Sequence, residues 1–112
     1  MQPTAWIRAA FWVGRCKDGE HERFVTLIQG AIVPALQVMP GVRSARALWP
    51  ARRENAPPSI ACQLLVEFAS HDDLERMLAS DERTAMRSSV SETLELFEGA
   101  LSHIDFEVGP AP

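Results

Sequence analysis

His103 and Asp105 are the pair in this sequence best suited to moving a proton. Residues two apart in an extended strand share a face, so the imidazole and the carboxylate point the same way, together with Leu101. A carboxylate near an imidazole favours the protonated ring, and a ring titrating near neutrality can serve as general acid or base. The same pair also reads as a hydrogen-bonded histidine in an interface between subunits. Arg8, with Trp6 and Trp12, forms the second cluster. A guanidinium pairs with oxyanions and indole rings supply flat apolar walls, so the trio suits a planar anionic ligand. It suits equally two tryptophans packed across a two-fold interface. Gln63 and Glu67 are expected on the same surface, with Glu67 paired to Arg8, because a buried carboxylate needs a partner. Trp49, beside Pro50, is expected either at the mouth of this pocket or at a partly exposed strand end.

Other chemistry has little support. His21 and His71 fall in a charged turn and a helix start, without metal-ligand company. No His-Glu-x-x-His, Cys-x-x-Cys, phosphate loop or dinucleotide fingerprint occurs, so no metal or cofactor is expected. Ser88, Ser89 and Ser91 lie inside a predicted helix, without the strained turn a serine nucleophile needs. Cys16 and Cys62 read as free thiols of a reducing cytoplasm. The net charge of -4 argues against a nucleic-acid partner, and no apolar run reaches the ~20 residues of a membrane span. With 46% hydrophobic and 23% charged residues, the 112-residue chain fits one globular domain spanning residues 1–112.

These residues need strands and helices to hold them. Residues 5–13 read as a strand apolar on both faces, with Ile7, Ala9, Phe11 and Val13 on one and Trp6, Arg8, Ala10 and Trp12 on the other. Residues 22–39 repeat apolar side chains at helical spacing. Pro34 falls inside that helix, where its ring would clash with the carbonyl of Gly30, and Gly30 is expected to relieve the clash. Pro40-Gly41 ends the helix. Residues 42–49 form a second strand, 50–59 a loop broken by Pro57-Pro58, and 60–68 a strand of strict alternation. Ser70 and Ser80 cap two helical segments, the second carrying the stripe Met86, Val90, Leu94, Phe97 and ending at Gly99. Residues 101–108 are the last strand.

The order β-α-β-β-α-β predicts an α+β, ferredoxin-like fold: a four-stranded antiparallel sheet with central first and third strands and both helices on one face. The helices are expected over Ile7, Phe11, Leu64, Val66, Ile104 and Phe106. The other face would then carry Trp6, Arg8, Trp12, Gln63, Leu65, Glu67, Leu101, His103 and Asp105. That mixture is too apolar for water and too charged for a core, so a second copy should cover it and enclose a small-molecule pocket between sheet and partner.

Pro34-Ala35-Leu36 followed by Pro40-Gly41 resembles the first-helix end of EthD-like proteins, His-x-Pro-Leu and then Pro-Gly. Glu67-Phe68-Ala69-Ser70 with Asp72-Asp73-Leu74 resembles the same group's strand-to-helix junction, and Leu78-Ala79-Ser80 before Asp81-Glu82 also resembles that group. The resemblance runs from the first strand through Phe97. It implies a dimeric α/β barrel, related to stress-responsive barrel proteins, lactone isomerases and cofactor-independent monooxygenases. It further implies a homodimer without cofactor that binds a small, partly apolar organic molecule. The reaction implied is oxygenation or lactone-type isomerisation, with His103 handling the proton and Arg8 steadying an anionic oxygen. Ile32 stands where the group's motif has histidine, so that histidine's role does not carry over, which leaves open a non-catalytic binding or accessory protein.

Overall fold

The computed structural model describes residues 4–111. Strand β1 (Trp6–Cys16) leads to helix α1 (His21–Leu27), a π-helical turn (Ile28–Ile32) and helix α2 (Val33–Gln37). Strands β2 (Val42–Leu48) and β3 (Ile60–Phe68) follow, joined by the proline-containing loop. Three short helices, α3 (His71–Leu78), α4 (Asp81–Ala85) and α5 (Arg87–Leu94), precede the last strand β4 (Phe97–Glu107). The strands form one antiparallel sheet in the order β2-β3-β1-β4, which puts the first and third strands at its centre. Among the described residues, no helix is long and apolar enough to cross a membrane.

Local chemistry explains most boundaries. The Ser70 hydroxyl accepts from the Asp73 amide at 3.2 Å, and the Ser80 hydroxyl accepts from the Arg83 amide at 3.2 Å. Each cap satisfies a donor that the first helical turn leaves free, and acidic residues follow where the helix dipole favours them. Pro34 is accommodated differently from the expectation. The turn before it widens to π geometry, the Val33 amide donating to the Ile28 carbonyl five residues back. That widening takes up the proline ring. Gly30 is exposed, and a Cβ there would meet nothing within 4 Å, so the glycine relieves no clash.

Gly99 likewise corrects the sequence reading. It does not end a helix; it lies in β4 opposite Gly14 of β1. Both have positive φ, +148° and +132°, and a Cβ at Gly99 would run into the carbonyl oxygen of Val13. The two strands approach here more closely than any side chain permits.

The largest correction concerns the sheet faces. Trp12 stands opposite Cys62, Ala10 opposite Leu64 and Arg8 opposite Val66. Opposite residues share a face, so the even-numbered row of β1 joins the apolar row of β3 beneath the helices. On the other side of β1, Leu101, His103 and Asp105 oppose Trp12, Ala10 and Arg8, which brings them to the same face. The core therefore forms around Trp12, Phe24, Ile28, Phe68 and Leu74, all 1% exposed or less. Trp12 and Phe24 meet edge to face at 5.3 Å, and Phe24 stacks on Phe97 at 5.5 Å. Ile7, Phe11, Leu65, Ile104 and Phe106 form the opposite, open face, where Ile104 is 48% and Phe106 44% exposed. Gln63 and Glu67 lie there too. The alternation in β1 carried no phase, since both its rows are apolar; only the pairing register sets which row faces the helices.

Candidate functional site

Between sheet and helices the core leaves a cavity of about 60 Å³, enough for several waters or part of a small organic molecule. Its floor is Arg8, Ala10 and Trp12 of β1, Leu64 and Val66 of β3, and Leu101 and His103 of β4. Its roof is Ile32 of the π turn, Leu36 of α2, Met77 of α3, Arg83 of α4, Met86, and Val90 of α5. The cavity thus lies within one subunit, under its own helices, and not between the sheet and a partner as expected.

The polar groups gather at the β4 side. Arg8 Nη1 donates to both carboxylate oxygens of Asp105, at 2.9 Å and 3.1 Å. The pair is partly sheltered, with side chains 16% and 31% exposed. It replaces the expected Arg8–Glu67 pair, which the opposite faces forbid; Glu67 meets Arg43 at 3.6 Å instead. His103 shares the cavity with Arg8. Its pKa is pushed below the usual histidine value, first by burial, then by the positive charges of Arg8 and Arg83; Asp105 opposes them more weakly. The carboxylate expected to favour the imidazolium is thus outweighed. Its charge is already matched by Arg8, and the balance favours the neutral ring, an acceptor at one nitrogen and a donor at the other.

Four other candidates lie elsewhere. The Trp6 ring tilts against His71, centroids 4.8 Å apart. The Trp49 indole donates to Gln29 at 3.2 Å and stands edge-on to Phe24, beside shallow outer grooves shared with Pro50 and Arg53. Gln63 and Glu67 occupy the open face. Of the eight residues singled out from the sequence, Arg8, Trp12 and His103 line the cavity and Asp105 holds Arg8 in place.

The remaining histidines and the cysteines do not line the cavity. His21 and His71 are exposed. Cys62 is buried and its thiol is pushed up to about 12, chiefly by burial and secondarily by Cys16, while burial also raises Cys16. Both stay protonated and poorly nucleophilic. Among the described residues, no three His, Cys, Asp or Glu side chains come together as metal ligands.

Neither a protein-family model nor a curated protein sequence matches this chain. Solved structures do match it. An ethyl tert-butyl ether d (EthD) family protein from Bacillus halodurans superposes with a TM-score of 0.70 at 13% identity, over 95% of this chain and 99% of that one. A hydroxynitrile lyase from Passiflora edulis gives 0.71 at 12% identity, over 97% of each chain. A cofactor-independent oxygenase from Streptomyces nogalater gives 0.62 at 15% identity, over 96% of this chain and 94% of its own. Dimeric proteins of ferredoxin-like fold are also among the matches. The fold is the EthD-like one. A lyase and an oxygenase on one backbone also show that this fold does not fix a reaction.

Ile32 is 1% exposed in the cavity roof, where it presents an apolar wall. Sequence reading missed Arg83. Arg83, Met86 and Val90 follow one another at spacings of three and four, the signature of a single helical face. Extending the stripe of Met86 and Val90 backwards by one step finds it.

Proposed function

We propose that the protein binds and transforms a small, partly apolar organic molecule in the cavity beneath its helices, with His103 as the proton-handling group. The observation that carries this is the convergence of His103, Arg8 and Trp12 on one otherwise apolar cavity. Pockets of this make-up, mostly apolar with a few directed polar groups, are where small molecules bind. A neutral imidazole can take a proton from a substrate carbon or oxygen, and the adjacent Arg8 guanidinium can stabilise the negative charge that results. The acidic group that fixes Arg8, Asp105, acts as a positioning residue. Such proton abstraction is the first step common to metal- and flavin-free oxygenation of an activated ring and to lactone-type isomerisation. Both remain compatible with the site, as does the proton removal that a lyase requires.

A second reading, binding without turnover, is favoured by Ile32, which presents an alkyl wall to the cavity. The two readings separate in one experiment. A thermal-shift screen of small aromatic and lactone compounds identifies ligands, and product analysis then tests turnover. If His103 is the base, His103→Asn retains affinity and lowers turnover by ~10²–10⁴-fold. Stabilisation by ligands without any product, in the wild type as in the variant, contradicts catalysis.

The open sheet face supports a two-fold homodimer. Phe106, Ile104 and Leu48 would otherwise stay in water, and an exposed apolar sheet face of this kind is normally covered. Light scattering should give twice the 12.4 kDa chain mass, and a monomer at high concentration contradicts the dimer. Two free thiols fit a reducing cytoplasmic setting.

A further inference from the structure

We infer that the cavity selects a monoanionic ligand, a carboxylate head on a small aromatic or branched apolar body, and that Arg83 confers the selection. The inference rests on the cavity being the binding site, as proposed above. Its charged lining is entirely cationic: Arg8 and Arg83 reach the cavity, and no Asp or Glu lines it. This is notable in a chain whose net charge is -4. Arg8 is already matched by Asp105, but Arg83 forms no ion pair among the described residues. Among the described residues, the one hydrogen bond of its guanidinium is a long one, from Nη1 to the Leu78 carbonyl at 3.5 Å. A half-buried guanidinium beside apolar walls is costly unless an anion meets it. Its positive charge also lowers the His103 pKa, after burial and Arg8.

Two guanidinium groups offer donors only, while Met77, Met86, Val90 and Leu36 surround the remaining space with apolar atoms. The complementary molecule has acceptors at one end and hydrocarbon at the other.

The test compares benzoate with its neutral isostere benzamide by isothermal titration calorimetry. Benzoate should bind the wild type about tenfold or more tightly than benzamide, the factor a charge-assisted hydrogen bond supplies. Arg83→Gln should lower benzoate affinity to the benzamide level and leave benzamide unchanged, which also shows the variant to be folded. Arg83→Lys should restore part of the preference. Equal affinity of the two probes for the wild type, or a preference untouched in Arg83→Gln, overturns the anion inference and leaves the cavity reading standing. Absence of binding by either probe at millimolar concentration overturns both.

Discussion

Replacing Asp105 by Asn removes the charge that, among the described residues, holds Arg8 and changes almost no volume. Arg8 donates to both oxygens at 2.9 Å and 3.1 Å, and its side chain is only 16% exposed, so water replaces the lost partner poorly. A fully exposed pair contributes ~0–1 kcal/mol, whereas stripping one partner from a fully buried pair costs ~3–5 kcal/mol. This pair lies between, and the expected loss is about 1–3 kcal/mol in denaturant unfolding at pH 7. Arg8→Met and the double variant complete a mutant cycle, whose coupling should be about 1 kcal/mol or more for groups in direct contact. The same change acts on His103. Asp105 is the one charge that raises its pKa, so Asp105→Asn should move the ring's titration, followed by NMR, to still lower pH. A loss below about 0.5 kcal/mol together with zero coupling refutes the claim that Asp105 positions Arg8. A ring titration that stays put refutes the electrostatic link to His103.

Further tests follow from the backbone and from protonation. Gly30→Ala should stabilise the protein by ~0.5–1 kcal/mol, because the position is helical, exposed and open to a Cβ; measurable destabilisation contradicts the open site. Gly99→Ala should destabilise it by ~2–4 kcal/mol, since positive φ and the Val13 carbonyl both exclude a side chain; an unchanged melting temperature refutes the Gly14–Gly99 close approach. His103 has a folded-state pKa below its unfolded value, so its contribution to stability is present above about pH 6.5 and is lost as pH falls. His103→Gln should therefore flatten the acid-side decline in stability, and an unaltered pH profile contradicts the lowered pKa.

The architecture was legible because its signals are local. Two serine caps, the Pro40-Gly41 stop and the alternation of residues 60–68 each follow from one short stretch, and together they fix the element order. Resemblance added the fold group. What failed was long-range phase. Strand β1 is apolar on both sides, so choosing which row faces the helices needed the pairing of Trp12 with Cys62, which no local pattern encodes. That single inversion moved Gln63 and Glu67 out of the site and turned the presumed partner-covered pocket into one inside the subunit. Within β1 and within β4, by contrast, alternation holds strictly. Arg8 and Trp12 stayed together on one strand, and His103 and Asp105 stayed together on the other. The antiparallel pairing of the two strands then brought both sets to the same cavity. Gly99 misled for a similar reason: a glycine ends helices more often than it marks two strands in close approach, and its partner Gly14 is distant in sequence.

The three tryptophans allow the central claim, a ligand site beneath the helices, to be tested in one spectrum. Trp12 lies in the cavity wall, Trp6 rests on His71, and Trp49 is bonded to Gln29 on the outer side of the molecule. Their indole N–H signals can be followed by ¹⁵N NMR during titration with benzoate, alongside the methyl signals of Met77 and Met86. The account predicts saturable shifts at Trp12, Met77 and Met86, with the Trp49 signal stationary. Shifts confined to Trp49, with Trp12 and both methionines unmoved, would place the ligand outside the cavity and contradict the account.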